Sequence, residues 1–327
     1  MKLATAMDAR GVPQRLVVEP SMPWCAQAKD AGLDVAPIAF GGLGEVFARR
    51  ALAGAVRSFR PDAVLAWMGR SAKRLPKGPH LNLVRYGGYF GLKHVGRADH
   101  VLVNTPDLAS YVAQKGVPSE RVHVCVNFGG LATATPVDRA MMGTPLDVPL
   151  VLALGRLVPK KGFDVLLEAI AKLSSHHLWL AGSGEEETSL RALAQKLDIE
   201  DRVHFLGWRD DQAALLAAAD MVCVPSRSEP FGNVVVEAWA SRTALVATRS
   251  EGPGWLVTDE ENGLLVPIDD ADALAAALAR VAADPDLADR LVDSGEATHR
   301  ARYSEDAVIA RYLDLIAALR SAPGSEA

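Results

Sequence analysis

The sequence predicts an α/β protein of two Rossmann-like, doubly wound domains with a cleft between them. Of its 327 residues, 49% are hydrophobic and 23% are charged, which supplies apolar material for two cores and excludes disorder or a coiled coil as the main state. Short apolar runs alternate with segments of helical periodicity along the whole chain. A stretch rich in threonine, proline and glycine at 131–149 interrupts this alternation near the middle.

Each strand is predicted from a short run of β-branched or other apolar residues. In the first half these runs are QRLVVEP (14–20), LDVAPI (33–38), DAVLAW (62–67), HLNLV (80–84), HVLVNT (100–105) and RVHVCVN (121–127). In the second half they are LVLAL (150–154), HLWLAG (177–182), RVHFLG (202–207), MVCVPS (221–226), TALVAT (243–248) and NGLLVP (262–267). Segments between them repeat Leu, Ile and Ala at three- and four-residue spacing, which predicts helices and therefore parallel sheets.

The domain boundaries follow from these patterns. We expect an N-terminal domain over residues 1–135, a C-terminal domain over 149–303 and a closing helix over 304–320. Ser304 is a natural N-cap for that helix. Its apolar stripe is expected either to cross back to the first domain or to pack on its own domain.

The cysteines and the apolar runs exclude several classes of protein. Cys25, Cys125 and Cys223 lie about a hundred residues apart, which fits neither a zinc cluster nor a disulfide framework. No stretch approaches the roughly 18 consecutive apolar residues of a membrane-spanning helix. A reducing, cytoplasmic setting is therefore expected.

The net charge of −5 conceals an uneven distribution. Residues 1–149 carry 18 Lys and Arg against 11 Asp and Glu, a net charge of +7, whereas residues 150–327 carry 17 against 29, a net charge of −12. Eleven basic residues lie between Arg49 and Arg97, where the sequence has one acid, Asp62. Such a segment is expected to be an ordinary solvated surface, or to face an anionic acceptor or membrane.

A cationic loop carries part of the chemistry of the second domain. Residues 155–162 follow the strand LVLAL and deliver Arg156, Lys160 and Lys161 ahead of a helix. Doubly wound sheets bind ligands at the carboxyl ends of their strands. Arginine and lysine side chains at that place suit the phosphates of a diphosphate.

The start of a predicted helix carries the rest of the chemistry of the second domain. The segment EPFGNVVVE follows the strand MVCVPS, and the backbone amides of Phe231, Gly232 and Asn233 are expected to point at an anion. Glu229 is placed to accept hydrogen bonds from a sugar, and Glu237 from a ribose. The alternative is that Glu229 only favours the positive end of the helix and that Glu237 is a solvated helix residue.

Five segments in this order closely resemble family 4 glycosyltransferases of GT-B architecture: GRLVPKKGFDVLLEA, HLWLAGSGEEE, RVHFLGW, MVCVPSRSEPFGNVVVEAWA and NGLLVP. The resemblance covers residues 150–320. It implies transfer of a sugar from a nucleoside-diphosphate sugar to an acceptor hydroxyl, with retention at the anomeric carbon and without a metal or other cofactor.

The same resemblance implies a role for each matching residue. Arg156 and Lys161 resemble the pair that holds the donor diphosphate and stabilises the departing phosphate. Glu229 and Glu237 match the ends of the family's E-x7-E motif, near the transferred sugar and on the ribose respectively. The remaining donor-side residues are Gly155, with Trp208 and Arg209 where the family's loop meets the nucleobase.

Two DxD triplets would be candidate metal ligands in a metal-dependent transferase. They are Asp270-Ala271-Asp272, which begins a predicted helix, and Asp284-Pro285-Asp286, which lies in a predicted turn. We assign both to capping, so no metal site is predicted.

The start of the chain departs from the family pattern. The segment LATAMDARGVPQRLVV is similar to the family's first helix and second strand, so the first strand and its Gly-rich loop are expected to be missing. Loss of that central strand removes ladder partners on both sides. We expect Met1 to be internal to a longer reading frame, or the product to be impaired.

The residues predicted to face the acceptor also depart from the family pattern. Where relatives often carry a histidine, Arg70, Arg85 and Tyr86 are the candidates, and arginine suits an acceptor with phosphate or carboxylate. The segments MGRSA, RYGGYFGLKH and DHVLVNT are similar to transferases of bacterial lipopolysaccharide core or other envelope glycans. The predicted partners are a nucleotide sugar, an anionic glycan or glycolipid, and the inner face of the cytoplasmic membrane through residues 49–97. No nucleic acid is expected.

Two other functions stay open. A sugar-nucleotide epimerase of the same fold would bind the same kind of ligand, although the ordered motifs favour transfer. A nucleotide-sugar binding module without catalysis is the second alternative, because the first strand is expected to be missing.

Overall fold

The computed structural model describes residues 1–40, 45–130 and 134–321. The chain forms two compact units, Met1–Val126 with the chain from Val308 onward, and Asn127–Ala307. The division falls before the 131–149 stretch, of which residues 131–133 lie outside the described residues.

The N-terminal unit contains parallel strands and short helices. Its strands are β1 (Leu16–Val18), β2 (Val35–Pro37), β3 (Ala63–Trp67), β4 (Leu81–Tyr86), β5 (His100–Val103) and β6 (Val122–Val124). Its helices, apart from the last helix of the chain, are α1 (Lys2–Asp8), α2 (Pro23–Asp30), α3 (Glu45–Phe59), α4 (Met68–Ala72) and α5 (Pro106–Gln114). Each strand falls in a predicted run, and β4 extends slightly beyond its run.

The strands of this unit form two separate sheets. Strands β1 and β2 pair with each other, and β3, β4, β5 and β6 form a four-stranded sheet in that order. The strand pairs of both sheets are parallel, as the predicted α/β class requires.

The C-terminal unit is built on one six-stranded parallel sheet. Its strands are β7 (Leu150–Leu154), β8 (His177–Ala181), β9 (Val203–Gly207), β10 (Met221–Val224), β11 (Ala244–Thr248) and β12 (Leu264–Val266). The order across the sheet is β12-β11-β10-β7-β8-β9. Counted from β7, this is the doubly wound order 3-2-1-4-5-6, which reverses direction between β7 and β10. The six predicted runs are confirmed as strands.

Seven helices lie between or after these strands in the described residues of the unit. They are α6 (Phe163–Ala171), α7 (Glu187–Lys196), α8 (Gln212–Ala218), α9 (Asn233–Ala240), α10 (Glu251–Leu256), α11 (Ala271–Ala283) and α12 (Pro285–Thr298). Strands β7 and β10 are buried throughout, as expected for a parallel sheet covered on both faces.

The DxD triplets cap helices, as predicted. Asp270 is the N-cap of α11, and its side chain accepts a hydrogen bond from the Ala273 amide at 2.8 Å. Asp284 caps α12 in the same way, accepting from the Leu287 amide at 3.0 Å. The second triplet therefore opens a helix rather than lying in a turn.

The last helix, α13 (Glu305–Ser321), joins the N-terminal unit from Val308. It begins after Ser304, whose Oγ accepts from the Ala307 amide at 3.3 Å. Of the two alternatives for this helix, the structure shows the return to the first unit. Among the described residues, no helix has the length and apolar character required to span a membrane.

Candidate functional site

A cavity of about 300 Å³ lies at the carboxyl ends of strands in the C-terminal unit. We call it the switch-point cavity, because it lies where the strand order reverses between β7 and β10, the place where doubly wound sheets bind ligands. Its lining residues are Leu154, Gly155, Arg156, Lys160, Lys161, Ala181, Gly182, Trp208, Arg209, Gln212, Glu229, Asn233, Val234 and Glu237.

Most of the predicted donor-side residues line this cavity. They are Gly155, Arg156, Lys161, Trp208, Arg209, Glu229, Asn233 and Glu237. Phe231 and Gly232 are buried beside it, and the Phe231 ring packs edge-on against Tyr303 with centroids 6.3 Å apart. Neither residue lines the cavity, and the role predicted for their backbone amides stays a prediction.

Lys161 and Glu229 form an ion pair in the cavity wall. The Lys161 ammonium donates a hydrogen bond to Oε2 of Glu229, and both side chains are mostly buried. A Cβ on Gly155 would lie 3.7 Å from Lys161 Nζ, so the lysine extends over this glycine. The pair places one cation and one carboxylate side by side in the cavity wall.

Arg156 and Lys160 supply two further positive charges. Both side chains are exposed and line the cavity. In the part of the chain that the structure describes, neither has a carboxylate within ion-pair distance. Their charge is therefore available to an anionic ligand.

The cationic loop is fixed against the loop that carries Glu229. Gly162 has φ +66°, and a Cβ at that position would lie 2.1 Å from the Pro225 carbonyl oxygen. Glycine is required there mainly because a side chain would overlap the Pro225 carbonyl, and the left-handed conformation adds backbone strain for any other residue. The amides of Arg227 and Ser228 donate to the Lys160 carbonyl at 2.9 and 3.2 Å.

Arg227 reinforces the same junction. Its guanidinium donates to both oxygens of Asp164 at 2.8 and 2.7 Å, to Asp269 at 2.5 Å and to the Pro159 carbonyl at 2.7 Å. Burial acts to raise the pKa of Asp164, but the hydrogen bonds and charge of Arg227 outweigh it and leave that pKa below its usual value. The network fixes the backbone of the loop that carries Lys160 and Lys161.

The N-terminus of α9 closes the cavity. Gly232 is its N-cap, and the amides of Asn233 and Val234 donate no hydrogen bond to any residue that the structure describes. Such amides carry the positive end of the helix dipole and suit an anion. Glu237, one helical turn on, is buried and lines the cavity.

Trp208 and Arg209 form the edge of the cavity after β9. The Trp208 ring is exposed, and its Nε1 donates to Asp210 at 3.0 Å. Arg209 forks onto Asp211 at 2.8 and 2.5 Å, and this hydrogen bonding raises the pKa of Arg209 and lowers that of Asp211. The indole is thus open to stack on a flat ring, while the arginine is already neutralised.

Six lining residues were not among the predicted site residues: Leu154, Lys160, Ala181, Gly182, Gln212 and Val234. Lys160 was within the cationic loop but was not assigned a role, and Gln212 begins α8 directly after the Trp208 loop. Gly182 follows β8, and Val234 is in the first turn of α9. The rule that ligands meet strand carboxyl ends would have found Gly182 and Gln212.

The acceptor-side candidates lie in the N-terminal unit. Arg70 is exposed on α4. Arg85 is buried, and its Nε donates to the Tyr312 hydroxyl of α13 at 2.7 Å. Tyr86 is buried in the core of the unit, its hydroxyl has no hydrogen-bond partner among the described residues, and burial raises its pKa.

The chain is similar to proteins of known type. Residues 135–298 match the family described as glycosyl transferases group 1. The chain is 37% identical over 319 residues to the lipopolysaccharide core biosynthesis glycosyltransferase LpsE of Rhizobium meliloti (strain 1021), covering 96% of this chain and 93% of that one. It is 34% identical over 321 residues to the lipopolysaccharide core biosynthesis glycosyltransferase LpsD of the same strain, covering 96% and 92%.

A solved structure shares the fold. The crystal structure of Anabaena HepE in complex with UDP-glucose has a TM-score of 0.82 and 20% identity, covering 97% of this chain and 95% of that chain. At this identity the similarity shows the fold alone, and it confirms the predicted α/β class with Rossmann-like domains.

Proposed function

The chain belongs to the group 1 glycosyltransferases, and from this membership we propose that it transfers a sugar from a nucleoside-diphosphate sugar to an acceptor hydroxyl. One observation carries the proposal. Arg156, Lys160 and Lys161 meet the free amides of α9 in the switch-point cavity, at the place where an α/β sheet binds nucleotides. That HepE was solved with UDP-glucose supports the choice of ligand.

In the proposed reaction, the cations neutralise the leaving group. The bond between the anomeric carbon and the diphosphate oxygen breaks, and negative charge grows on that diphosphate. Arg156, Lys161 and the α9 amides are already oriented toward this charge, so they stabilise the transition state without reorganisation. Lys160 adds to the same field.

We propose that the sugar is transferred with retention. The acceptor oxygen attacks from the face that the diphosphate leaves, and its proton passes to the departing phosphate oxygen. In this scheme Glu229 binds sugar hydroxyls and does not attack the anomeric carbon. Its carboxylate is already paired with the Lys161 ammonium, and this pairing makes it a poorer nucleophile. A glycosyl ester trapped on Glu229 would contradict this mechanism.

We propose that turnover needs no metal and no other cofactor. The aspartates Asp270 and Asp284 of the two DxD triplets are occupied by helix capping. The charge that a metal supplies in other transferases comes here from three basic side chains and a helix terminus. Turnover that persists in the presence of a chelator is the expected result.

A panel of nucleoside diphosphates and their sugars tests the proposed function. We expect the nucleoside diphosphates of one base to raise the midpoint of thermal unfolding. A ligand at a hundred times its Kd stabilises the folded protein by about 2.7 kcal/mol. The double substitution R156A/K160A should abolish this shift, whereas K196A, at an exposed lysine of α7, should not change it.

The same panel separates the alternatives. Release of nucleoside diphosphate in the presence of acceptor supports a transferase, conversion of the donor sugar without acceptor supports an epimerase, and binding without turnover supports a binding module. If no nucleoside diphosphate stabilises the native protein, the proposed function is wrong.

We propose that the acceptor is a lipopolysaccharide core or another envelope glycan, bound by the N-terminal unit. The names of LpsE and LpsD, each similar over most of its length, support this class. Arg70 and Arg85 are the basic residues that sequence reasoning assigns to the acceptor side, and they suit a glycan that carries phosphate or carboxylate.

We further propose that α3 docks on the anionic, inner face of the cytoplasmic membrane. Val46 and Phe47 are exposed apolar residues in its first turn, and Arg50 and Arg57 are exposed further along it. Val46, Arg50 and Arg57 share one face of the helix by their spacing. Exposed apolar side chains next to arginines suit an anionic membrane surface, because the arginines meet its negative charge while the apolar groups enter the headgroup region.

Liposome co-sedimentation tests the docking. Vesicles with anionic lipid should bind the protein, and zwitterionic vesicles or high salt should release it. Removing two basic residues in R50A/R57A should weaken binding about 30-fold, at roughly 1 kcal/mol per charge, while K196A should leave it unchanged. Binding that ignores lipid charge and salt would rule the docking out.

A further inference from the structure

The loop that carries Glu229 makes few backbone hydrogen bonds of its own. This Glu229 loop, residues 225–232, joins β10 to α9. The amides of Arg227 and Ser228 donate to the Lys160 carbonyl, but the Glu229 amide has no backbone acceptor among the described residues. The position of Glu229 therefore depends on groups that reach the loop from other elements.

Glu251, the first residue of α10, supplies the missing acceptor. Its Oε2 accepts a hydrogen bond from the Glu229 amide at 2.9 Å, and its Oε1 accepts one from the Ser228 hydroxyl at 3.1 Å. Both carboxylate oxygens are thus bonded to neighbouring residues of one loop. Hydrogen bonds to an ionised carboxylate are stronger than those between neutral groups.

The next residue of α10 holds the other side of Glu229. The Gly252 amide donates to the Glu229 carbonyl at 2.7 Å. A Cβ at Gly252 would lie 2.2 Å from the Phe231 carbonyl oxygen, so the start of α10 packs directly on the loop. Two consecutive residues of α10 therefore hold Glu229 at its amide and at its carbonyl.

The side chain of Glu229 is held at its far end as well. Its Oε2 accepts from the Lys161 ammonium in the switch-point cavity. Glu229 is then fixed at three points, which are its amide, its carbonyl and its carboxylate. A carboxylate fixed in this way has little freedom to lose when it binds a hydroxyl group.

Glu251 reaches the cavity only through this loop. It does not line the cavity, and none of the described Lys and Arg residues forms an ion pair with it. Its negative charge cannot attract a diphosphate. Its contribution to the site is therefore the pair of hydrogen bonds to the Glu229 loop.

We infer that Glu251 is a positioning residue, which holds the Glu229 carboxylate in place for the hydroxyl groups of the donor sugar. The inference rests on the proposed function, in which Glu229 binds these hydroxyl groups. Sequence reasoning did not select Glu251, because it lies 22 positions from Glu229 and outside every segment of the family resemblance. Glu251 sets the affinity for the sugar part of the donor and not for its nucleoside diphosphate.

Isothermal titration calorimetry without acceptor tests the positioning role. The two ligands are the nucleoside diphosphate that stabilises the native protein and the corresponding diphosphate sugar. We expect E251A to weaken the diphosphate sugar about tenfold, which corresponds to about 1.4 kcal/mol, and not to weaken the nucleoside diphosphate. A pure charge effect has the opposite sign, because removing a negative charge would tighten the binding of both ligands.

Two further variants separate the hydrogen bonds from the charge. In E251Q the amide oxygen can still accept from the Glu229 amide although the charge is gone, so most of the native affinity for the diphosphate sugar should remain. E261A is the matched control, because Glu261 is exposed in the same unit and makes no side-chain hydrogen bond or ion pair with any described residue. E261A should leave both affinities unchanged.

Removal of the Glu229 side chain shows whether Glu251 acts through it. E229A should weaken the diphosphate sugar, and E229A/E251A should weaken it no further, because no carboxylate is left to position. Two independent contributions would instead add in the double variant.

Three results would overturn the inference. They are native affinity of E251A for the diphosphate sugar, equal weakening of both ligands by E251A, and a further loss in E229A/E251A. Nucleoside diphosphate binding by the native protein keeps the two claims apart. Its absence contradicts the proposed function, whereas its presence together with any of the three results contradicts the role of Glu251 alone.

Discussion

Replacing Lys161 by alanine is expected to lower kcat about 10²- to 10³-fold, the loss typical of removing one preorganised group that stabilises developing charge. The Lys161 ammonium is held over Gly155 and bonded to Glu229, so it is positioned before the substrate arrives. Steady-state turnover with the donor identified by the nucleotide panel provides the measurement. A smaller loss is expected for K160A, whose exposed side chain is less fixed.

The double variant K161A/E229Q separates two causes of that loss. K161A leaves the Glu229 carboxylate unpaired near the incoming diphosphate, and this repulsion alone would slow the reaction. If the missing cation is the cause, the double variant stays as slow as K161A. Recovery of most of the native rate in the double variant, or near-native turnover in K161A, would show that Lys161 does not stabilise the leaving group.

Replacing Gly162 by alanine is expected to lower the free energy of unfolding by about 3 kcal/mol or more, and to abolish transfer. The added methyl group would lie 2.1 Å from the Pro225 carbonyl oxygen, so the cationic loop must move away from the loop that carries Glu229. Denaturant unfolding followed by tryptophan fluorescence measures the first effect, and turnover measures the second.

Gly207 is the matched control for this substitution. It has φ +65° against +66° at Gly162, but nothing lies within 4 Å of a Cβ built there. G207A therefore carries only the backbone strain, about 1 to 2 kcal/mol. Equal destabilisation of the two variants would mean that the contact with Pro225 contributes nothing.

The strands were predictable because each is a short apolar run. Parallel strands covered on both faces lack polar alternation, and the runs at β7 and β10 show this pattern clearly. The caps at Asp270 and Asp284 were predictable because capping depends on neighbours three residues away.

Contacts between distant segments were not predictable in the same way. The Lys161–Glu229 pair joins residues 68 positions apart, and no local pattern specifies it. Glu45 lies just outside the basic stretch, yet it accepts from Arg74 at 2.9 Å, 29 positions away. Counting charges along residues 49–97 therefore overstated how many of the basic side chains there lack a carboxylate partner.

The two buried site residues illustrate a further limit. Phe231 was expected near the anion from its place at a helix start, but it does not line the cavity and its ring is buried against Tyr303. Arg85 was expected on the acceptor side and is held by Tyr312, which is 227 positions away. Only the tertiary contacts with Tyr303, which lies between α12 and α13, and with Tyr312 of α13 decide where these two side chains point.

The most direct test is a crystal structure of the protein with the nucleoside diphosphate that stabilises it. We predict both phosphates against Arg156, Lys160 and Lys161 and the amides of Asn233 and Val234, with the ribose at Glu237 and the base beside Trp208. A nucleotide bound anywhere other than the switch-point cavity would contradict the account.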